Sequence, residues 1–194
     1  MIDLLVASSL LLLASPFLLV VGLLIKLTDG GPILFWQIRV GKWGKPFRFP
    51  KFRSMVVDAE AVRATLLAEN QHGDQGITFK MKRDPRITWI GYFIRKTSID
   101  ELPQLWCVIK GDMSLVGPRP ALVSEVERYT LDNRRRLEVT PGLTCIWQVS
   151  GRSEIPFDEQ CRMDVRYIEE QSVMADLRLL LKTIPAVITG RGAY

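Results

Sequence analysis

The chain has 194 residues, 47% of them apolar and 24% charged, with a formal net charge of +5 and a pI of about 9.3. That size supports one medium domain with a real core, and that composition excludes a disordered chain. Three cysteines without CxxC spacing argue against a disulfide framework or a zinc site, and the single histidine, His72 in a polar loop, excludes mechanisms built on paired histidines.

The first element is an uncharged apolar run, Leu4 to Ile25. Twenty-two residues of helix rise about 33 Å, the thickness of a bilayer core. Pro16 sits in the middle and bends the helix; the neighbouring Ser15 hydroxyl can take up the carbonyl that the proline frees. On the residues alone a straight span is slightly favoured over a helix that enters and leaves by one face. Arg39, Lys42, Lys45, Arg48, Lys51 and Arg53 follow closely, which places the main body on the cytoplasmic side. The cluster Thr28-Asp29-Gly30-Gly31-Pro32 ends this segment.

Ile33–Val40 and Pro46–Met55 read as two strands of a small hairpin around the turn 41–44. Asp58–Glu69 reads as a helix, Ile77–Met81 as a short strand and Asp84-Pro85-Arg86 as a turn. Thr88–Lys96 reads as an amphipathic helix with Trp89, Ile90, Phe93 and Ile94 on one side, suited equally to a core or a membrane interface. Further helices are expected near Ser98–Ile109, Ser124–Arg136, Phe157–Gln171 and Met174–Thr189, the last interrupted by Pro185. No repeat or low-complexity linker divides the chain, so the organisation is an apolar segment at 1–27 and one domain at 28–194. Basic residues are scattered apart from Arg134-Arg135-Arg136, which reads as a solvated helix face, and no nucleic-acid motif is present.

The chemistry concentrates in Ser98-Ile99-Asp100-Glu101 and in Gly117-Pro118-Arg119-Pro120. The first has the form of a capping box, Ser98 as N-cap and Glu101 reaching back, and for an arbitrary protein that reading suffices. The same pattern also places two carboxylates where a helix N-terminus attracts phosphate. In that reading the helix field keeps Asp100 ionised as a nucleophile, and Glu101 holds Mg²⁺, which favours oxygen ligands shared with substrate phosphates. Arg95, Lys96 and Arg119 are cations able to converge there, and the flanking prolines stiffen the Arg119 loop. Pro141-Gly142-Leu143-Thr144 and Val149-Ser150-Gly151-Arg152 read as turns around Trp147 that suit either ordinary hairpin structure or a nucleotide cup with Arg152 on a phosphate.

Taken together, Lys51-Phe52-Arg53-Ser54-Met55, Asp84-Pro85-Arg86-Ile87-Thr88, Ser98 to Leu105, Lys110 to Pro120, Pro141 to Thr144, Trp147 to Arg152 and Gly192-Ala193-Tyr194 resemble the bacterial sugar transferases, the monotopic phosphoglycosyl transferases. The resemblance covers essentially the whole chain. It implies an α+β, mostly helical fold: a re-entrant membrane helix broken at Ser15-Pro16, and a compact cytosolic catalytic domain with a small β-hairpin and interfacial amphipathic helices. It implies transfer of a hexose-1-phosphate from a UDP-sugar to undecaprenyl phosphate at the bacterial inner membrane, opening exopolysaccharide, capsule or O-antigen synthesis. Asp100 would attack the β-phosphorus and release UMP; Glu101 would bind Mg²⁺ or Mn²⁺; Lys51, Arg95 and Arg119 match the phosphate-binding positions. UDP-sugar, undecaprenyl phosphate and membrane lipid are the implied partners, nucleic acid is not one, and a homo-oligomer is left open. Cys145 stands where the family pattern usually has Gly. Longer relatives carry additional N-terminal membrane helices and a soluble domain, and the resemblance leaves open whether this chain is their catalytic module cut out or one that stands alone. The competing reading is a membrane-anchored, non-catalytic interaction module of a polysaccharide-assembly complex; a dead relative would be expected to have lost one of the acids or Arg119.

Overall fold

A computed structural model of the chain describes residues 2–59, 61, 62 and 84–190. Most of the expected helix 58–69 and all of the expected strand Ile77–Met81, the His72 loop and the terminal Gly192-Ala193-Tyr194 lie outside the described residues.

Helix α1, Ile2–Asp29, continues through Ser15-Pro16. Pro16 cannot donate to the Leu12 carbonyl, and the Ser15 hydroxyl donates to that carbonyl instead, at 2.8 Å. Both ends of α1 are tied to the domain. Near the start, Asp3 accepts a hydrogen bond from Ser114 (2.7 Å) and Ala7 is buried among Phe49, Leu105 and Leu115. Near the end, Val21 and Ile25 pack with Phe52, Ile90 and Ile94, and Asp29 accepts from Arg53. Between these anchorages Leu12, Leu13 and Leu19 are exposed.

Strands β1 (Leu34–Val40) and β2 (Pro46–Phe52) form the expected antiparallel hairpin, with Leu34 opposite Phe52 and Val40 opposite Pro46. Alternation puts Phe49 and Phe52 on opposite faces, each entering its own core; Trp36 and Ile38, on the Phe52 face, are exposed. Helix α2 (Trp89–Lys96) starts at Thr88, whose hydroxyl accepts the Gly91 N–H at 3.0 Å. The expected single apolar side of α2 is in fact two. Ile90 and Ile94 are buried against α1, whereas Trp89, Tyr92 and Phe93 are exposed, because the helix carries apolar residues around most of its circumference.

The expected helix from Ser98 divides into a 3-10 segment, Ile99–Gln104, and a short α3, Leu105–Lys110. Pro103 has no N–H for an α-helical bond and fits the tighter turn. No capping box forms: Ser98 is left-handed, φ 57°, and its side chain caps nothing.

Strand β3 (Ser114–Val116) runs parallel to β5 (Gly142–Thr144), and β4 (Ala121–Leu122) pairs antiparallel with β1. The expected Ser124–Arg136 helix is two short ones, α4 (Val123–Val126) and α5 (Leu131–Arg134), because Thr130 caps a new start by accepting the Asn133 N–H. Arg136 is not on a solvated face: it is buried and paired with buried Asp164. The pieces around Trp147 are not hairpin turns either; one is β5 and the other finishes α6 (Ile146–Ser150) before the bend at Gly151-Arg152. Helices α7 (Phe157–Glu170) and α8 (Val173–Thr189) close the fold, α8 passing through Pro185 without a break.

Candidate active site

The 3-10 segment lies along β2, and this contact brings Lys51 to Glu101, Nζ to Oε1 at 3.1 Å. Arg119 reaches the same carboxylate from the loop between β3 and β4, its Nη1 3.3 Å from Oε2 and its Nη2 closing on Oε1. That loop is held by close backbone crossing. Gly117 N–H donates to the Thr144 carbonyl (3.0 Å) and Gly142 N–H to the Pro118 carbonyl (2.9 Å). A Cβ on Gly142 would sit 2.0 Å from the Gly117 nitrogen, so the crossing requires glycine.

Asp100 is buried, and no side-chain hydrogen bond holds its carboxylate among the described residues. Burial pushes its carboxyl up to about 6, against the opposing pull of Lys51, Arg95 and Arg119 and with a further push from Glu101. The expected helix field is corrected: only a 3-10 turn starts here, and desolvation outweighs the cations, so the Asp100 carboxyl is ionised above about 6 and not throughout the usual carboxylate range. Glu101 goes the other way. Burial alone would raise it, but Arg119 and then Lys51 hold it well below the usual carboxylate range. Burial in turn pulls Lys51 below the usual lysine value, with Glu101 opposing.

Of the five cations expected in the site, Lys51 and Arg119 bond Glu101 and Arg95 and Arg152 act on the dyad electrostatically, whereas Lys96 lies against Gly190 at the end of α8. Arg95, in the last turn of α2, acts on Asp100. Arg152 feels Glu101, Arg119 and Asp100, and its Nη2 lies 3.3 Å from the Ser98 hydroxyl. Ser98 and Arg152 are two of three non-glycine residues with positive φ among the described residues, at 57° and 54°. Such conformations cost on the order of 1–3 kcal/mol each and persist where the surroundings fix them.

Glu101 Oε1 already receives two donors and Oε2 one, so the dyad offers a divalent cation few protein oxygens. No cluster of three or more His, Cys, Asp or Glu side chains gathers among the described residues. With Lys51 and Arg119 on Glu101, these oxygens do not cage a divalent cation by themselves; a Mg²⁺ or Mn²⁺ ion at the dyad would take most of its ligands from substrate phosphates.

Two features escaped the sequence. Arg39, read there as one of many cations after the apolar run, stacks on Phe49 (5.2 Å to the ring centre) behind Arg119. The positive φ of Ser98 and Arg152 has no signature in residue types that normally avoid it. An apolar groove of about 510 Å³ opens between α1 and the hairpin, lined by Leu18, Leu19, Gly22, Trp36, Pro50 and Pro103 among others.

Residues 1–190 match the family model described as bacterial sugar transferase. The chain is 55% identical over 166 residues to the galactosyl transferase CpsE of Streptococcus agalactiae, covering 85% of this chain and 36% of that protein. It is 45% identical over 195 residues to the undecaprenyl-phosphate galactose phosphotransferase of Salmonella typhimurium, covering 99% of this chain and 40% of that protein. Against the exopolysaccharide production protein ExoY of Rhizobium meliloti the identity is 40% over 194 residues, with 99% and 86% covered. The chain thus spans well under half the length of the first two relatives.

Proposed function

The chain belongs to the bacterial sugar transferase family, and from that premise we propose that it transfers a hexose-1-phosphate from a UDP-sugar to undecaprenyl phosphate. The observation that carries this reading is the placement of Asp100: buried, without a side-chain hydrogen bond among the described residues, beside Glu101 with its Lys51 and Arg119, and within electrostatic reach of Arg95 and Arg152. A carboxylate in that position is a nucleophile with four cations ready for a diphosphate.

The Asp100 carboxylate attacks the β-phosphorus of the UDP-sugar. The bond from that phosphorus to the bridging oxygen breaks, and UMP leaves with the electron pair. An oxygen of the lipid phosphate then attacks the phosphosugar-aspartate, freeing the Asp100 carboxylate and forming the lipid-linked diphosphate. Arg119 and Lys51, held on Glu101 before substrate arrives, are placed to take up phosphate charge. Glu101 together with the donor's phosphate oxygens would hold Mg²⁺ or Mn²⁺, which when bound neutralises charge on the breaking diphosphate.

The apolar groove suits the acceptor's hydrocarbon tail. Pro103 lines it, and in a 3-10 turn residues i and i+3 eclipse, so Pro103 lies on the same side as Asp100 one turn away. Helix α1, anchored at both ends on one domain, is best read as entering and leaving the cytoplasmic face of the inner membrane. Relatives named for galactose and for glucose transfer make the UDP-hexoses of these two sugars the first donors to test.

The test is UMP release from UDP-hexoses with undecaprenyl phosphate. Wild type should release UMP and yield the lipid-linked diphosphate by mass spectrometry, whereas Asp100→Asn should release none. Undiminished release by that variant refutes the nucleophile, and free phosphosugar in place of the lipid product would make the protein a hydrolase. Activity unchanged in EDTA removes the metal from the account.

A further inference from the structure

Arg39 is on β1, outside the acidic dyad and outside the cations assigned to phosphate. Its side chain is committed in three directions. Nη1 donates to the Pro120 carbonyl at 3.1 Å, Nε donates to Gln37 Oε1 at 3.0 Å, and the guanidinium plane lies over Phe49, 5.2 Å from the ring centre. Phe49 is fully buried, so one side of this stack is fixed by the core. The target carbonyl belongs to the residue directly after Arg119.

The backbone around Arg119 has two prolines and therefore lacks the N–H groups that would ordinarily pin a loop. On its N-terminal side it is pinned by Gly117 to Thr144 and by Gly142 to Pro118. On its C-terminal side Arg39 supplies the bond to Pro120, next to the two-residue pairing of β1 with β4, in which Arg39 stands opposite Leu122. Arg39 holds this position at an electrostatic cost: burial first, and then the like charge of Arg119, push its guanidinium down to about 10. Glu125 and Glu101 oppose that push. A cation kept half-buried beside another cation, with its plane on a ring and two N–H groups given to a backbone and an amide oxygen, is held by the protein itself rather than left free for a ligand.

We propose that Arg39 is a positioning residue for the transfer reaction: it fixes the Pro120 carbonyl, and through it the direction in which Arg119 meets the donor diphosphate. The proposal rests on the reaction set out above. A planar fork that stacks and donates twice is required, so charge alone does not suffice.

The experiment is a double-mutant cycle with Arg39→Ala and Arg119→Ala, read as UMP release and as UDP-sugar affinity, with melting temperature followed for each protein. Arg39→Ala should lower kcat/KM roughly 10- to 100-fold, the loss that misplacement of a catalytic group produces. In the Arg119→Ala background the same change should alter release and affinity by no more than about twofold. Arg39→Lys, which keeps the charge and disturbs packing least, should lose nearly as much as Arg39→Ala, and it replaces Arg39→Ala in the cycle if that variant does not fold. Effects that multiply in the double variant, or full activity of Arg39→Lys, overturn the proposal. A wild-type protein inactive with every UDP-hexose overturns instead the reaction on which it rests.

Discussion

The balance of burial against charge comes out in opposite senses for Asp100 and Glu101, although the two are adjacent in the chain. Glu101 receives Lys51 and Arg119 directly and stays ionised; Asp100 receives neither, and desolvation raises it to about 6. As the nucleophile of the proposed reaction Asp100 must be unprotonated, so kcat/KM for the donor should fall as pH drops through about 6. Lys51 is the largest counterweight to the burial of Asp100. Lys51→Met should therefore move the acid limb to higher pH, and a limb that stays in place would show that Lys51 does not govern the nucleophile. The same shift bears on stability. A carboxyl whose folded value is raised stabilises the fold below its unfolded value near 3.8, and that contribution is lost as pH rises through about 6. At pH 7 ionised Asp100 is thus a liability, and Asp100→Asn should melt a few degrees higher than wild type while being inactive. A lower melting temperature would mean that the carboxylate has a stabilising partner.

Elements are positioned here by close approach as much as by apolar burial. Helix α2 rests on the strand end at Ser54, where a Cβ on Gly91 would sit 1.9 Å from the Ser54 carbonyl oxygen. Gly91→Ala should cost about 1–3 kcal/mol through overpacking, and it should lower activity because Arg95 is carried on that helix. Gly44, at φ 77° with open space around it, is the control: alanine there should cost only ~1 kcal/mol. Equal melting temperatures for the two variants would contradict the tight contact. This scale also marks what residue types can and cannot reveal. The β1–β2 hairpin was legible because alternating aromatics and cations have a two-residue period, and α7 and α8 because long amphipathic runs dominate their surroundings. The Ser98 capping box was illegible as a non-box, because Pro103 and the neighbouring Arg152 decide that geometry from outside the pattern. The split at Thr130 was hidden for a related reason: a cap inside a helical run looks like any polar residue. The site's acids and loop arginine were legible as local motifs. Arg39 was not, since its meaning comes from Pro120, 81 residues away.

At the scale of the molecule, many of the exposed apolar side chains belong to three helices that touch one another. Leu12, Leu13 and Leu19 are on α1, Trp89, Tyr92 and Phe93 on α2, and Leu181, Ile184 and Ile188 on α8. α1 packs on α2, and Gly190 at the end of α8 abuts Lys96 at the end of α2. Connected surface of this kind suits a lipid boundary better than water. Under the proposed reaction the groove beside α1 would face the phase in which a polyprenyl tail is dissolved, and Pro103 in its lining would bring the acceptor phosphate toward Asp100. Leu19 tests this with little disturbance to the core, since it lines the groove yet is largely exposed. Leu19→Trp should fill part of the groove and raise the KM for undecaprenyl phosphate by roughly tenfold, the worth of one or two buried methylenes. The first half-reaction needs no acceptor, so exchange of labelled UMP into the UDP-sugar should continue at the wild-type rate. An unchanged acceptor KM would assign the groove to bulk lipid. Lost exchange would show that the substitution acts on the donor site, and the tail would then have to approach Asp100 by another path.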